Sequence, residues 1–263
     1  MFYYELHAHT NSASLCSLVT PEEYIDFYIS KGFSGMVITD HFYHGNTSVD
    51  RHLPWDIFID EFCQGYLRAK KEGEKRGFKV FFGFEQKFCD GNDEYIVLGI
   101  SPEWLKSHPE IRDMERVLFF KKIRESGGFV IQAHPFRERY YISDIRLSLD
   151  NVDAIEVLNL GDTEQQSRRA YEYAKNLGLP MTAGSDIHSV INFNTVAGIG
   201  VENEIFEVEE LIAFIKSGKT IIAPNDRFEN IKKLDLDGDV TLPVFSVDGD
   251  KLSYTDNYFA KKL

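Results

Sequence analysis

The sequence predicts an α/β protein: a barrel of seven or eight strand–helix units followed by a short C-terminal β-hairpin. Two observations support this prediction. Short apolar runs alternate with longer amphipathic segments along most of the 263 residues, which is typical of parallel strands joined by helices. The last forty or so residues break this alternation and are typical of short strands with Asp-Gly turns.

The predicted strands are eight short runs rich in β-branched and aromatic residues. In chain order they are "YYEL" (3–6), "GMVIT" (35–39), "KVFFGF" (79–84), "YIVLGI" (95–100), "GGFVIQA" (127–133), "VDAIEV" (152–157), "LPMTAG" (179–184) and "TIIA" (220–223). Periodicity alone does not separate a closed barrel from an open sheet, but this many units favours the barrel.

The segments between the runs have the start and stop signals of helices. In the first, Thr20 is a candidate N-cap, Pro21 occupies the first helical position and Gly32 lies near the end. The same pattern predicts helices within residues 55–77, 114–128, 162–178 and 207–218. We expect one barrel over residues 1–225 and an appendage over residues 226–263 that packs on the same domain.

The composition of the chain limits the classes of function and the cellular location that can be expected. A formal net charge of −13 argues against a long nucleic-acid partner, because such a protein gains little from releasing phosphate counterions. The three cysteines, Cys16, Cys63 and Cys89, form no CxxC pair and indicate a reducing compartment. No signal peptide and no membrane-spanning apolar run is recognisable. We therefore expect a cytoplasmic protein without a membrane partner; its oligomeric state is left open.

Immediately after five of these runs stand residues of the types that bind metals. They are His7 and His9 after the first run, Asp40 and His41 after the second, Glu85 after the third, His134 after the fifth, and Asp186 and His188 after the seventh. The C-terminal ends of barrel strands form one face, where the active sites of α/β barrels lie. Five strand ends are therefore expected to bring imidazoles and carboxylates to one pocket.

Strand geometry adds local support. Side chains at positions i and i+2 point to the same face, so His7 and His9 project together, as do Asp186 and His188. An isolated His-x-His pair is more often a hydrogen-bonded or solvated loop feature than a metal site. The same residue types at five strand ends make chance a much weaker explanation.

The motifs "HAHT", "TDH", "GFEQ", "AHP" and "GSDIH" occur in the order typical of the PHP family, the polymerase-and-histidinol-phosphatase metal-dependent phosphoesterases. The chain resembles that family over most of residues 5 to 190, and "AIEVLN" (154–159) resembles the strand before its last motif. Each motif is short, but their order and strand context are specific. The resemblance implies a distorted (β/α)7 TIM-like barrel, in agreement with the alternation.

The resemblance also implies a cluster of two or three divalent metal ions. The implied ligands are His7, His9, Glu85 and Asp186 for the first ion, Glu85 and His134 for the second, and His41 and His188 for the third. Imidazoles and carboxylates suit Zn²⁺, Mn²⁺ or Fe²⁺, and the sequence does not choose among them.

Two departures from the family pattern weaken the second and third metal positions. Many relatives carry a His or Asp a few residues after the His-x-His pair, where this chain has Leu15 and Cys16. Some carry another His after the fourth run, where Ile100 and Ser101 stand here. Cys16, His44 or substrate oxygens are candidates to compensate.

Several polar residues near the ligands are candidates for catalysis or substrate binding. Asp40 either binds metal or, as we favour, orients an imidazole. His44 is either a surface loop histidine or a ligand, a substrate contact or a proton donor. We take Asp40, His44 and His188 as candidate donors of the proton to the leaving oxygen.

Two arginines and an asparagine complete the predicted site. Arg137 and Arg139 follow His134, and guanidinium groups suit bidentate phosphate binding, although both could be solvated loop residues. Asn159 follows the sixth run and is a candidate to position substrate or water. No P-loop and no GxGxxG motif is present.

These residues predict a metal-dependent phosphoesterase that hydrolyses a small-molecule phosphate ester. A hydroxide held between two metals would attack phosphorus in line, while the metals neutralise charge on the phosphate oxygens. Alternatives are a histidinol-phosphate or protein-tyrosine phosphatase, an exonuclease, C–N bond hydrolysis, and a non-catalytic metal-binding regulatory domain.

Overall fold

The computed structural model describes residues 1–191, 194–248 and 251–254. Its strands are β1 (Phe2–Glu5), β2 (Gly35–Ile38), β3 (Lys79–Lys87), β4 (Glu94–Leu98), β5 (Phe129–Gln132), β6 (Ile145–Ser148), β7 (Ala154–Asn159), β8 (Met181–Gly184), β9 (Gly198–Val201), β10 (Ile221–Ala223), β11 (Val244–Asp248) and β12 (Lys251–Tyr254). Its α-helices are α1 (Pro21–Ser30), α2 (Trp55–Phe62), α3 (Gln64–Arg76), α4 (Pro102–Ser107), α5 (Arg116–Glu125), α6 (Glu164–Leu177), α7 (Val208–Lys216) and α8 (Asn225–Lys233).

Nine strands form one mixed sheet that curls into a nearly closed barrel, so the predicted α/β barrel class is confirmed. Their order is β10-β9-β1-β2-β3-β4-β5-β7-β8. Segments just beyond β8 and β1 join at one end of the barrel, where the Asp186 backbone N–H donates to the His7 carbonyl over 2.9 Å. A parallel bridge between Ala8 and Ile187 continues this contact.

The expectation of parallel strands is wrong for β4 and β10, and β9 lies where no strand was predicted. β4 runs antiparallel to both β3 and β5, and β9 runs antiparallel to β1 and β10. The loop between β3 and β4, residues 88–93, is too short for the crossover that a parallel pair needs. As a result, β4 presents its N-terminal end, beginning at Glu94, to the face where its parallel neighbours present their C-terminal ends.

Helices are present in all five predicted segments, whereas α4 and α8 lie where no helix was predicted. Helix α1 begins with a capping box, in which Thr20 accepts from the Glu23 N–H and the Glu23 side chain accepts from the Thr20 N–H. The segment predicted as one helix over residues 55–77 is divided at Cys63 into α2 and α3.

The C-terminal strands β11 and β12 form the predicted antiparallel hairpin. β11 also pairs in parallel with β6, so the hairpin extends a separate three-stranded sheet, β12-β11-β6. Part of the turn between β11 and β12, including Gly249, lies outside the described residues. The boundary at residue 225 stays a prediction. Among the described helices, none has both the length and the apolar character needed to cross a bilayer.

Candidate metal centre

Imidazoles and carboxylates meet at the end of the barrel where the first, second, fifth and eighth strands finish. The converging side chains are His7 and His9 after β1, His41 after β2, Glu85 within β3, Glu94 at the start of β4, His134 after β5, and Asp186 and His188 after β8. The expected convergence of five strand ends is therefore present in the geometry.

Glu85 is the centre of this cluster. One of its carboxylate oxygens lies 3.1 Å from Nε2 of His7 and 3.3 Å from Nε2 of His134. The other lies 2.6 Å from Nδ1 of His41 and 3.7 Å from Nε2 of His9. A single buried carboxylate thus reaches imidazoles from three strand ends, which is the arrangement expected of a bridging ligand.

Asp186 forms the second anionic point. Its Oδ1 lies 3.1 Å from Nε2 of His9 and 3.6 Å from Nε2 of His7, and its Oδ2 accepts from Arg137 over 2.7 Å. Asp186 and His134 are non-glycine residues with positive φ angles, 49° and 29°. Backbone conformations of this kind are costly and cluster at functional sites. Both candidate ligands are thus held in uncommon conformations.

A close approach between β8 and the His7 segment makes this convergence possible. A Cβ at Gly184 would lie 2.3 Å from Cβ of His7 and 2.8 Å from Oε1 of Glu156. Beneath the cluster, buried Glu5 accepts from the backbone N–H groups of His7 and Ser185. Glycine in "GSDIH" therefore lets two ligand-bearing segments pack against each other.

Glu156 holds two candidate ligands from behind. Its Oε1 lies 3.0 Å from Nδ1 of His7, and its Oε2 accepts from the backbone N–H of His134 over 2.9 Å. The Asn159 amide also donates to Glu156, over 2.9 Å. Because Glu156 faces Nδ1 of His7, the Nε2 atom of that ring points into the cluster. Carboxylates commonly orient metal-binding histidines in this way.

The charges within the cluster are strongly coupled. Burial opposes protonation of His7, but Asp186, Glu156 and Glu85 outweigh it and raise the pKa of His7 well above its ordinary value. Burial, reinforced by the charge of His41, lowers the pKa of His9 to about 3. Although burial opposes ionisation of Glu85, the charges of His41 and His7 hold its pKa well below the usual range. The pocket is therefore built to accommodate positive charge.

The cluster also contains buried polar atoms without hydrogen-bond partners. Among the described residues, Nδ1 of His9 has no partner, and Nδ1 of His41 and Oε2 of Glu85 form a close ion pair without hydrogen-bond geometry. Nε2 of His7 faces Nε2 of His9 at 3.1 Å, although only one of two such nitrogens can donate if both rings are neutral. Unsatisfied donors and acceptors are costly in a buried site, and divalent cations bound by these atoms would satisfy them. The residues present fit a metal cluster.

Cys16 adds sulfur to one side of the cluster. It lines the cleft together with His188 and His41. Burial opposes ionisation of Cys16, but these two imidazoles outweigh it and lower the thiol pKa to about 6. The His9 ring stacks on His41 at a centroid distance of 4.2 Å and on His188 at 5.0 Å.

Asp40 does not contact an imidazole in the way that was expected. Its carboxylate accepts from the Thr10 N–H over 2.6 Å and from the hydroxyls of Thr10 and Ser14, each over 2.7 Å. Burial raises the pKa of Asp40 to about 6 despite these hydrogen bonds. The expected role in orienting an imidazole is replaced by anchoring the loop after β1, because that loop supplies all three donors.

Arg137, Asn159 and Arg139 differ in their proximity to the cluster. Arg137 donates to Asp162, Asp186 and Asn159, each over 2.7 Å, so each guanidinium nitrogen already has a partner. Asn159 is buried and bridges Arg137 to Glu156. Arg139 instead points to backbone carbonyls of Glu138 and Gly161, outside the residues that line the cleft.

A cleft of about 490 Å³ opens onto the cluster. Its walls include Cys16, His41, His44, Glu85, Lys87, Glu94, His134, Arg137, Tyr141, Asp186 and His188. His44 lies on the rim, where its Nε2 is 2.9 Å from the Arg112 carbonyl. Lys87 donates to the Asn92 side chain over 3.1 Å and, within the described residues, forms no ion pair. Lys87 is therefore available to an anion in the cleft.

Sequence reasoning missed three residues of this site. Glu94, whose carboxylate lies 3.6 Å from Nε2 of His134, had no signal in the sequence, because a parallel β4 would bring its other end, at Ile100 and Ser101, to the site. Lys87 carried a usable signal, since it lies two residues after Glu85 on the same strand face. Glu156 lies in the strand motif "AIEVLN", but its contact with His7 depends on a packing that local sequence does not report.

The comparisons agree with this geometry. The PHP domain matches residues 5–147, more than half of the chain, and a PHP-associated region matches residues 164–220. The chain belongs to the PHP domain family. A DNA polymerase III of the polC type from Streptococcus pyogenes serotype M3 is 33% identical over 86 residues, which are 33% of this chain and 5% of that protein. The chain thus spans about a twentieth of the curated relatives it matches.

Solved structures resemble this PHP fold at low sequence identity. A two-domain protein from Bacteroides vulgatus, containing a predicted PHP-like metal-dependent phosphoesterase, has a TM-score of 0.59 at 15% identity, over 88% of this chain and 68% of that one. A lesion-specific endonuclease from Pyrococcus furiosus has a TM-score of 0.50 at 13% identity, over 84% and 57%. These likenesses support the TIM-like fold.

Proposed function

We propose that this PHP protein hydrolyses a phosphate monoester of a small metabolite with a multinuclear metal cluster. The observation that carries the proposal is Glu85, whose two buried oxygens face imidazoles from three strand ends at the floor of the cleft. A carboxylate shared in this way suits two neighbouring divalent ions, and paired ions are a common means of hydrolysing phosphate esters.

Three sets of residues would hold the ions. His7, His9, Glu85 and Asp186 form the most complete donor set, Glu85, Glu94 and His134 a second, and His41 and His188 part of a third. Divalent ions bound there supply Lewis acidity: they lower the pKa of water and neutralise charge on phosphate oxygens. Nitrogen and oxygen ligands alone admit Zn²⁺, Mn²⁺ or Fe²⁺.

Lys87 is the residue that we assign to the substrate phosphate. Its ammonium lies on the cleft wall and, among the described residues, forms no ion pair. Arg137 has a different role, because its guanidinium is bound to Asp162, Asp186 and Asn159. Arg137 therefore orients the Asp186 carboxylate, and Lys87 takes over the phosphate contact first expected of the arginines.

The leaving oxygen needs a proton, and two histidines on the cleft can supply it. His188 is the nearer to the cluster, with Nδ1 4.0 Å from Oδ1 of Asp186. Hydrogen bonding to Cys16 and the charge of Asp186 raise the pKa of His188 although burial opposes this. A protonated imidazole cannot bind a metal ion, so His188 serves as the acid only when it holds no ion. His44 stands farther out on the rim and is the second candidate.

The size of the cleft supports a small substrate. A volume of about 490 Å³ lies within the range of small-molecule sites. The net charge of −13 disfavours a long polyanion, which would approach an acidic surface against electrostatic repulsion. We therefore favour a phosphate monoester over DNA, although one curated relative is named as a DNA polymerase and one structural neighbour as a lesion-specific endonuclease.

The test is phosphate release from a panel of phosphate monoesters by protein loaded with Mn²⁺ or Zn²⁺, beside the Asp186→Ala variant. We expect turnover of at least one ester, with loss of bound metal and activity in the variant. No turnover, together with unchanged metal content in Asp186→Ala, overturns the proposal. Cleavage of single-stranded DNA in a gel assay, with no monoester hydrolysed, replaces it with nuclease activity.

A further inference from the structure

We propose that Cys16 is a metal ligand, and that its thiolate completes with His41 and His188 a zinc-favouring position of the cluster. The inference rests on the proposed metal centre but not on hydrolysis. Cys16 lines the cleft together with both histidines. This position is the one that otherwise lacks ligands, because only His41 and His188 were expected to belong to it.

Independent observations point to an ion at this place. Candidate ligand atoms of His9, His41 and His188 lie within 4.8 Å of one another. Nδ1 of His9 is buried and has no hydrogen-bond partner. Three imidazoles packed this closely repel one another when protonated, whereas a shared cation with a thiolate beside it satisfies their lone pairs.

The loop that carries Cys16 is held in place on both sides. Near its start, Asp40 accepts from Thr10 and Ser14, and Ser14 accepts in turn from the His41 N–H over 3.1 Å. Near its end, the Leu18 N–H donates to the His188 carbonyl over 2.9 Å. The loop that carries Cys16 is thus hydrogen-bonded to the backbone of both His41 and His188. Little conformational freedom is therefore lost when the three side chains bind one ion.

The chemistry of the sulfur sets a metal preference. When a metal binds, the thiol releases its proton to solvent and the thiolate becomes the ligand. Thiolates select zinc and other soft ions over Mn²⁺ and Mg²⁺. We therefore expect zinc at this position even where the positions built from oxygen and nitrogen accept manganese.

Cobalt spectroscopy tests the inference without any substrate. Wild-type protein loaded with Co²⁺ should show a thiolate-to-cobalt charge-transfer band in the near ultraviolet. Cys16→Ser should lose the band and about one equivalent of metal, while Cys89→Ser, which changes an exposed cysteine, should keep both. Cys16→His should recover the metal without the band. Circular dichroism establishes that each variant is folded.

Thiol titration gives a second readout. With metal removed, a thiol reagent should modify Cys16 and Cys89; with zinc bound, it should modify Cys89 alone. A charge-transfer band that persists in folded Cys16→Ser, or Cys16 that reacts equally fast with and without zinc, overturns the inference. Cobalt binding without a charge-transfer band would support the metal centre but show that Cys16 is not one of its ligands. Failure to bind any cobalt would overturn both the proposed metal centre and the role of Cys16.

Discussion

Oε1 of Glu156 lies 3.0 Å from Nδ1 of His7, and both groups are fully buried in the wall of the barrel. The other Glu156 oxygen accepts from the His134 backbone. One carboxylate therefore sets the ring orientation of one candidate ligand and the backbone position of another. His7 and His134 both face Oε1 of Glu85, so Glu156 supports two candidate ligands that approach the same carboxylate oxygen.

Glu156→Gln should lower metal affinity by about 10- to 100-fold, the usual cost of losing a carboxylate behind a histidine ligand. The carboxylate of Glu156 accepts the proton on Nδ1 of His7 and so fixes the tautomer of that ring. The neutral amide of glutamine holds this tautomer less strongly. Isothermal titration with Zn²⁺ measures the change. Glu61→Gln, on the exposed side of α2, is the control and should bind as wild type. Equal affinity in both variants would remove Glu156 from this role.

The sequence predicted the site where strand direction could be assumed. Short runs ending in His, Asp or Glu needed only the rule that parallel strands finish at one face, and His7, His134 and Asp186 meet as that rule requires. Glu94 escaped because β4 is antiparallel, and direction follows from loop length and pairing more than from the residues of the strand itself.

Contacts between distant segments were the other limit. Asp40 looked like a partner of the adjacent His41, yet its oxygens are taken by a loop some thirty residues earlier. Arg137 looked free to bind phosphate because its carboxylate partners, Asp162 and Asp186, come later in the chain. Hydrogen-bond partners of this kind are set by tertiary packing and leave no periodic signal.

Lys87→Met should raise KM for a phosphate monoester about 10- to 100-fold, because a hydrogen bond to a charged group contributes about 1.5–3 kcal/mol. Lys87→Arg keeps the charge and should recover most of the loss. Steady-state kinetics of metal-loaded enzyme measure both. Lys121→Met, an exposed change on α5, serves as the control. A normal KM in Lys87→Met would return the phosphate contact to Arg137.

Arg137→Met should lower the free energy of unfolding of the metal-free protein by about 3–5 kcal/mol, because Asp162 and Asp186 are left buried without their cation. Arg139→Met is the matched variant. Its guanidinium meets backbone carbonyls, so we expect a change within about 0.5 kcal/mol. Urea unfolding compares the two, and similar losses would contradict the assigned role of Arg137.

Removal of bound metal with a chelator should lower the melting temperature of wild-type protein. A ligand present at a thousandfold excess over its Kd stabilises the folded state by about 4 kcal/mol, and the cluster then also loses the cations that balance Glu85 and Asp186. Thermal unfolding with and without chelator measures the shift. Asp186→Asn should respond less. An identical shift in that variant would exclude Asp186 as a ligand.

Arg116 gives a pH-dependent prediction away from the cluster. It donates to Asp93 and Asp90, each over 2.9 Å, and its side chain is only 7% exposed. Burial opposes ionisation of Asp90, but hydrogen bonding and charge from Arg116 lower its pKa below the ordinary 3.8. A lowered carboxyl pKa contributes stability above the ordinary value, and this contribution is lost as pH falls through the folded-state pKa.

Arg116→Met should therefore cost about 3–5 kcal/mol at pH 7, since it leaves Asp93 buried without its cation. The variant should also lose less stability than wild type on acidification below about pH 4, because the interaction that acid removes is already absent. Urea unfolding at pH 7, 5, 4 and 3 measures both effects. Arg112→Met, which affects the more exposed pair with Asp113, should follow the wild-type profile. Parallel pH profiles for Arg116→Met and wild type would show that this ion pair does not shape acid stability.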